Sequence, residues 1–229
     1  PDEFYQSRRS GIYKEFFEKL AAQNLIYPCF CSRAELHAAS APHTSDGQFI
    51  YPGTCRNLTE DERRNKMQSH KHSWRIKVPD ETMLFLCCLS FALFREWGDF
   101  IVRRSDGIYA YQLAVVIDDA LMGVTEVIRG RDLLSSSAPQ LYLYRLLGFK
   151  PPQFGHLPLL TAPDGRRLAK RDMDLDMGAL RSRYTPEEVI GRLAFLAGLI
   201  DKEEPVKASE LLPLFDWQKI PKENITVTN

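Results

Sequence analysis

The stretch DGIYAYQLAVVIDDALMGVTEVIRGRDLL, residues 106–134, decides the fold. Read with the preceding FIVRR (100–104), its first part places β-branched and aromatic residues on both sides of the turn Ser105-Asp106-Gly107, which predicts a hairpin over 99–116. GVTEVIRG (123–130) is a second apolar-rich run. From Gly130 a helix is expected, with Leu133, Leu134, Leu141, Tyr144 and Leu147 roughly on one side and Gly148 ending it before the Pro151-Pro152 break. Strands that share a core with helices make an α/β layer with β structure at its centre. Tyr111, in the strand-like IYAYQLAVV, and Arg129, closing GVTEVIRG, then stand where they can project at the carboxyl edge of the sheet, the ligand-binding edge of open α/β folds. An arginine there can grip a substrate carboxylate in a bidentate fork. Each residue also has a purely structural reading, Tyr111 as a core aromatic and Arg129 as the partner of Asp118, Asp119 or Glu126.

Working outward toward the N-terminus, Ile12, Phe16, Phe17 and Leu20 recur at helical spacing. They predict an amphipathic helix from Ser10, its N-cap, to about Gln23, packed on a sheet. Between Tyr27 and Asn57 the periodicity gives way to Cys, Pro, Gly, Ser and His, a loop composition that needs a metal or a tight scaffold to hold it. Thr59 followed by Glu62 reads as a capping box for a polar helix to about Gln68, and Ser73 to Val78 alternates like a strand.

Three of the five cysteines, Cys29, Cys31 and Cys55, fall within that loop-rich insertion, which fits a metal site better than a disulfide framework. Zinc takes four tetrahedral ligands, so three thiolates leave one position. Tyr51 is a candidate for it, and His37 or His43 would fill it by more ordinary chemistry. The competing reading is three free thiols. Nothing near the cluster resembles a catalytic base, so the site is read as structural. Cys87 and Cys88 lie in the apolar run Met83 to Phe94 and read as small core hydrophobes.

Toward the C-terminus, Asp164-Gly165 makes a turn, after which Arg166, Arg167, Lys170 and Arg171 surround Leu168 and Ala169. Such a cation cluster can clamp a phosphate chain and counts most where pyrophosphate departs. The bland alternative is a solvated basic turn. The phosphate cradle GxxxxGK[ST] occurs nowhere, which disfavours a P-loop nucleotidase. Thr185, Pro186 and Glu188 form a further capping box ahead of a helix whose expected buried stripe is Val189, Ile190, Leu193, Leu196 and Ala197.

Composition sets outer bounds. With 44% hydrophobic and 11% aromatic residues the chain can fill a core, and its 30 basic and 30 acidic residues cancel. Any nucleic-acid binding therefore rests on local patches. The densest apolar run falls short of the roughly 20 residues of a membrane-spanning helix, which makes a cytoplasmic location and no membrane partner the default. The chain opens on proline with no signal-peptide pattern, and is read as a fragment or a processed product.

YPCFCSRAEL (27–36), YPGTC (51–55), the 106–134 stretch, HLPLL (156–160) and DGRRLAKRD (164–172), in this order, resemble the glutamyl-tRNA synthetase group of class I aminoacyl-tRNA synthetases. The resemblance implies a Rossmann-like nucleotide-binding α/β fold whose N-terminal part, with the HIGH-type motif, is missing. It implies catalytic-domain segments at 1–28 and 73–160, a zinc-binding insertion at 29–72, and a KMSKS-type loop with a small helical domain at 161–229. It assigns structural zinc to Cys29, Cys31, Tyr51 and Cys55, and the substrate L-glutamate to Tyr111 and Arg129. ATP, with Mg2+, goes to Arg167, Leu168, Ala169, Lys170 and Arg171, Lys170 being the catalytic cation. Ala169 departs from the family's frequent serine, and Arg167 from its first lysine.

Within the group, RGRDLLSSSAPQ (129–140) and the lack of a large helical anticodon-binding domain resemble a short branch that attaches glutamate to queuosine in the anticodon of tRNA(Asp). That branch implies a monomeric ligase that activates glutamate without tRNA and takes queuosine-bearing tRNA(Asp) as acceptor. The alternatives are a truncated glutamyl-tRNA synthetase charging the tRNA 3′ end and a catalytically inactive tRNA- or partner-binding module.

Overall fold

The computed structural model describes residues 4–38, 50–80, 83–84, 90–91, 97–166, 168 and 177–227. The first helix, α1, spans Ser10–Ala22 and buries Tyr13, Phe16, Phe17 and Leu20. That is one apolar stripe at three- and four-residue spacing. Ser10 is the first helical residue, and the N-cap is Arg9, which makes no side-chain cap bond. The Arg9 guanidinium instead donates from Nε to Asp118 Oδ1 at 2.7 Å, and the Tyr13 hydroxyl donates to Asp118 Oδ2 at 2.7 Å.

The region expected to be loop contains regular structure. Strand β1, Ile26–Cys29, is buried along its whole length, and a short helix, α2, follows at Arg33–Ala38. Loop composition misled here because Pro28 interrupts the apolar run, yet β1 is the edge strand of its sheet, where a residue without an N–H is tolerated. Helix α3, Glu60–Ser69, carries the expected capping box: Thr59 accepts from the Glu62 N–H, and Glu62 accepts from the Thr59 N–H.

Strand β2, Ser73–Ile76, is the expected one. It pairs antiparallel with β1 in the register Ile26↔Ile76, Tyr27↔Arg75, Cys29↔Ser73. Short strands β3 (Met83–Leu84) and β4 (Ser90–Phe91) pair with each other; the rest of the apolar run, with Cys87 and Cys88, lies outside the described residues. Strand β5, Ile101–Arg103, pairs antiparallel with β2 and completes a three-stranded sheet in the order β1-β2-β5.

The expected hairpin over 99–116 is shorter. Its return arm is the single bridge Arg103↔Tyr109, and helix α4 starts at Tyr111 and runs to Met122. Leu113, Ala114, Val116 and Ile117 are buried along α4, a helical spacing that the strand-like composition concealed. Gly123, at φ 69°, caps its C-terminus in the left-handed conformation.

Strand β6 (Glu126–Gly130) follows, then a 3-10 turn at Arg131–Leu133 and helix α5 (Leu134–Leu147). The helix expected from Gly130 thus begins one turn later. From Ser136 to Tyr144 α5 is buried without a break, and Gln112 Nε2 donates to Ser136 Oγ (3.1 Å) while Gln140 Nε2 donates to Gln112 Oε1 (2.8 Å). Those bonds satisfy polar groups that burial would otherwise penalise. One core joins α1, α4, α5 and the three-stranded sheet through Phe17, Leu20, Ile76, Val102, Leu113, Ile117 and Leu143.

Strand β7 (Gln153–Leu157) pairs with β6, and β8 (Leu160–Thr161) pairs parallel with β9 (Ile225–Thr226). Between β8 and β9 lie α6 (Met177–Arg183), α7 (Pro186–Leu196) and α8 (Ala208–Leu211). The Thr185 and Glu188 capping box forms as expected, but the buried residues of α7 are Gly191 and Ala194, while Leu193 is 47% exposed. The reason is steric. The Gly191 Cα lies so close to the Glu204 carbonyl that a Cβ would collide with it, which turns the glycine face inward.

The chain divides into two compact units, one of Pro1–Val127 with Leu134–Phe154 and the other of Ile128–Leu133 with Gly155–Asn229. No helix among the described residues is long and apolar enough to cross a membrane.

Candidate functional site

The three expected cysteines meet. Cys29 ends β1, Cys31 follows after Phe30, and the turn from Tyr51 returns Cys55, so that the three Sγ atoms lie within 4.8 Å of one another. Cys31 Sγ is 3.6 Å from Cys55 Sγ. The Tyr51 Oη joins them at 3.5 Å from Cys29 Sγ and 3.9 Å from Cys31 Sγ. Donors held about 2.0–2.3 Å from a shared tetrahedral zinc stand roughly 3.5–3.8 Å apart, so these spacings match the edges of one metal tetrahedron. Of the alternative ligands, His43 and the side chain of His37 lie outside the described residues.

Backbone geometry holds the cluster. The Cys55 N–H donates to Tyr51 Oη at 2.7 Å, and the Phe30 N–H donates to Cys55 Sγ at 3.5 Å. Tyr51 forms a parallel bridge with Gly98, where a Cβ would meet the Tyr51 carbonyl oxygen at 2.6 Å. Tyr27, Cys29, Tyr51 and Cys55 make a second buried core on the other side of β1 from Ile26, which belongs to the main one. That division follows from the two-residue period of a strand.

Two groups that the sequence reading passed over organise the surroundings. Arg75 stacks its guanidinium 3.8 Å from the Tyr51 ring centroid and donates to the Asp99 carbonyl at 2.6 Å. Asp99, with 0% exposure, accepts from the Tyr27 hydroxyl at 2.6 Å, from Arg56 Nη1 at 2.8 Å and from the Val78 N–H at 2.7 Å. Arg56 is the residue after Cys55, so the buried carboxylate pins the end of the cysteine turn. The available signals were a lone acid inside Trp97-Gly98-Asp99-Phe100 and an arginine inside an alternating strand; neither says which partner it finds.

The electrostatics of the thiols diverge. Burial pushes the Cys31 thiol up to about 12, with the Cys29 and Cys55 sulfurs adding to it. Burial acts the same way on Cys29, but the Arg75 charge and the Tyr51 hydrogen bond outweigh it and leave that thiol below its ordinary value. Burial and the Cys29 contact hold the Tyr51 phenol far above its usual range. A bound cation would reverse that preference for the neutral forms, because it supplies the charge that thiolates and a phenolate need.

The structure places the other expected site residues as follows. Tyr111 is the first residue of α4 and is 50% exposed, so its phenol is not a core aromatic. Arg129 lies on β6 and donates from Nε to His156 Nε2 on β7 at 3.2 Å. Burial and the neighbouring Arg129 charge lower His156 to about 4, so it is a neutral acceptor at pH 7. Asp118, one of the partners considered for Arg129, is engaged by Arg9 and Tyr13.

In the basic loop, the turn at Asp164-Gly165 is present, with Gly165 at φ 80° and the Arg166 N–H bonded to Asp164 Oδ1 at 2.9 Å. Ala162 and Leu168 donate to the carbonyls of Arg166 (2.8 Å) and Leu160 (3.1 Å), so the chain doubles back over β8. Arg167, Ala169, Lys170 and Arg171 lie outside the described residues.

Comparison with known proteins agrees along the whole chain. The sequence profile of the family described as tRNA synthetases class I (E and Q), catalytic domain, matches residues 2–228. A protein of Symbiobacterium thermophilum named glutamyl-Q tRNA(Asp) synthetase is 49% identical, the match covering 98% of this chain and 72% of the relative. A protein of the same name from Nitratidesulfovibrio vulgaris is 43% identical over 95% of this chain and 69% of its own. Among solved structures, a glutamate tRNA ligase from Elizabethkingia meningosepticum in complex with its amino acid superposes with a TM-score of 0.76 at 27% identity, over 100% of this chain. The present chain spans 52% of that ligase, about half its length. With the mixed α/β architecture and the sequence match extending together from end to end, the chain belongs to the class I tRNA synthetases of the glutamate and glutamine group, as their catalytic domain.

Proposed function

We infer that the protein to which this chain belongs activates L-glutamate with ATP, without tRNA, and transfers it to queuosine in the anticodon of tRNA(Asp). The observation that carries this reading is the 49% identity, over 98% of the chain, to a protein named for that activity. It favours this acceptor over the tRNA 3′ end, and a ligase over an inactive binding module.

In the activation step an oxygen of the glutamate α-carboxylate attacks the α-phosphorus of ATP. The bond to the β-phosphate breaks, and pyrophosphate leaves, with Mg2+ expected on its oxygens. The residues assigned to this step act by position and charge. Tyr111 and Arg129 hold the amino acid. His156 supports that role for Arg129, since an arginine fixed at Nε by a neutral imidazole keeps its planar fork in one orientation. The loop Arg167, Leu168, Ala169, Lys170 and Arg171 holds ATP, with Lys170 on the phosphates. Transfer to the nucleoside then releases AMP.

Zinc is the metal proposed for Cys29, Cys31, Tyr51 and Cys55, the donor spacing being its support. Four protein donors close its shell, so when bound it supplies a structural cross-link and no position for a reacting water. Glutamate-dependent ATP–pyrophosphate exchange by the full-length protein tests the activity. Exchange without RNA, followed by labelling of tRNA(Asp) that bears queuosine, is the expected result. Exchange that requires tRNA(Glu), or none at all, overturns it.

A further inference from the structure

Beyond the metal cluster, the segment leaving α3, His70 to Trp74, faces the β5 turn, Arg103 to Gly107, across a cleft of about 520 Å3. Its walls include His70, Lys71, His72, Trp74, Arg103 and Arg104, and no carboxylate lines it among the described residues. This concentration of cations is local, because the 30 basic and 30 acidic residues of the chain cancel. Asp106 pairs with Arg104 at 2.6 Å and offsets one charge from outside the lining.

The cleft also carries aromatic surface in a defined order. The His72 ring lies between Phe30 and Trp74, with centroids 5.7 and 5.5 Å away, and Trp74 meets Phe17 edge-on at 5.6 Å. Arg103 is fixed as well. Its Nε donates to the Gly107 carbonyl at 3.2 Å, and its guanidinium sits 5.6 and 5.4 Å from the Phe17 and Tyr109 ring centroids. Cations beside anchored ring faces are what an unpaired polynucleotide strand needs: phosphates meet the charges and exposed bases meet the rings. A volume of this size admits a nucleotide or two and is too open for a small apolar ligand.

We propose that this cleft seats a single-stranded segment of the RNA acceptor, its phosphodiesters against Lys71, Arg103 and Arg104 and an unstacked base against His72 and Trp74. The proposal rests on the reading that an RNA accepts the glutamate, and it assigns to that RNA a docking surface separate from the residues proposed for glutamate and ATP.

The test uses the full-length protein and the double variant Lys71→Gln, Arg104→Gln, whose substituted side chains are exposed and outside the core. Binding of fluorescein-labelled tRNA(Asp) is followed by anisotropy over a range of salt, and RNA-free glutamate-dependent pyrophosphate exchange is measured in parallel. Exchange is expected to be unchanged, while the Kd for tRNA rises about tenfold or more and the slope of log K against log salt falls by about 2, as two lost phosphate contacts require. An unchanged Kd with an unchanged salt slope overturns the proposal. Absence of exchange by the unmodified protein refutes the proposed activity alone, because the anisotropy comparison still decides the cleft. If only free ATP, added as a competitor, loses affinity in the variant, the cleft is a nucleotide site and the RNA assignment is wrong.

Discussion

Asp99 draws three donors onto a carboxylate with no exposed surface, and each donor belongs to a different piece of chain: Tyr27 on β1, Arg56 beside Cys55, and Val78 after β2. Removing it leaves the donors buried and unmatched. Asp99→Ala is expected to cost about 3–5 kcal/mol, the range for breaking a buried charge pair, read from urea unfolding. A loss well under 1 kcal/mol would mean that water replaces the carboxylate. His156 makes a prediction of the opposite sense to a surface histidine. Its folded value, about 4, lies below the ordinary 6.5, so between those values the unfolded chain binds the extra proton. Stability from this group is complete above about pH 6.5 and lost as the pH falls toward 4. Urea midpoints measured across that window should fall less steeply on acidification in His156→Gln, which keeps an acceptor for Arg129 but cannot titrate. Parallel profiles for the two proteins would rule the linkage out. Neither residue was legible beforehand, because a sequence displays a polar side chain inside an apolar run without its partner, and these partners lie 72 and 43 positions away for Tyr27 and Arg56.

At the scale of elements, local chemistry was readable and context was not. The Thr59 with Glu62 and Thr185 with Glu188 capping boxes form as their spacing predicts, since every bond in them joins residues three apart. The hairpin was overextended for the converse reason: IYAYQLAVV has strand composition, and only packing of Leu113, Val116 and Ile117 into the core makes it a helix. Gly98 is the element-level position where backbone geometry matters most. It combines φ 63° with a bridge to Tyr51 so close that a Cβ would sit 2.6 Å from the Tyr51 carbonyl oxygen. Gly98→Ala therefore has to shift the strand that carries the phenol, at a cost on the order of 1–3 kcal/mol for the strained backbone alone. The expected outcome is a lower urea midpoint together with weaker metal retention. A lower midpoint with metal retention intact would separate the bridge from the cluster.

Across the whole molecule, family membership was the most legible feature, because YPCFCSRAEL, YPGTC, the 106–134 stretch and DGRRLAKRD constrain one another by order as well as content. How the sheet joins the cluster was not visible, since it depends on the register Tyr27↔Arg75 and Cys29↔Ser73. That register has a global consequence. The edge strand β1 contributes Ile26 to the main core and Cys29 to the cysteine cluster, so metal bound at Cys29, Cys31, Tyr51 and Cys55 is coupled to the core by a single strand. A ligand that binds only the folded state stabilises it by about 4 kcal/mol at a thousandfold excess over its Kd, so stripping the metal should lower the thermal midpoint of the unit that contains β1 and restoring zinc should recover it. Proton competition fixes the sign with pH: thiolates must form for the metal to bind, and Cys31 is the most reluctant of them, so the metal-dependent part of the midpoint should shrink as the pH is lowered. Calorimetry of the full-length protein with chelator, and after zinc is added back, reads both effects. A midpoint indifferent to chelator, in protein that metal analysis finds free of zinc, would leave the cluster as three free thiols and a phenol held by packing alone.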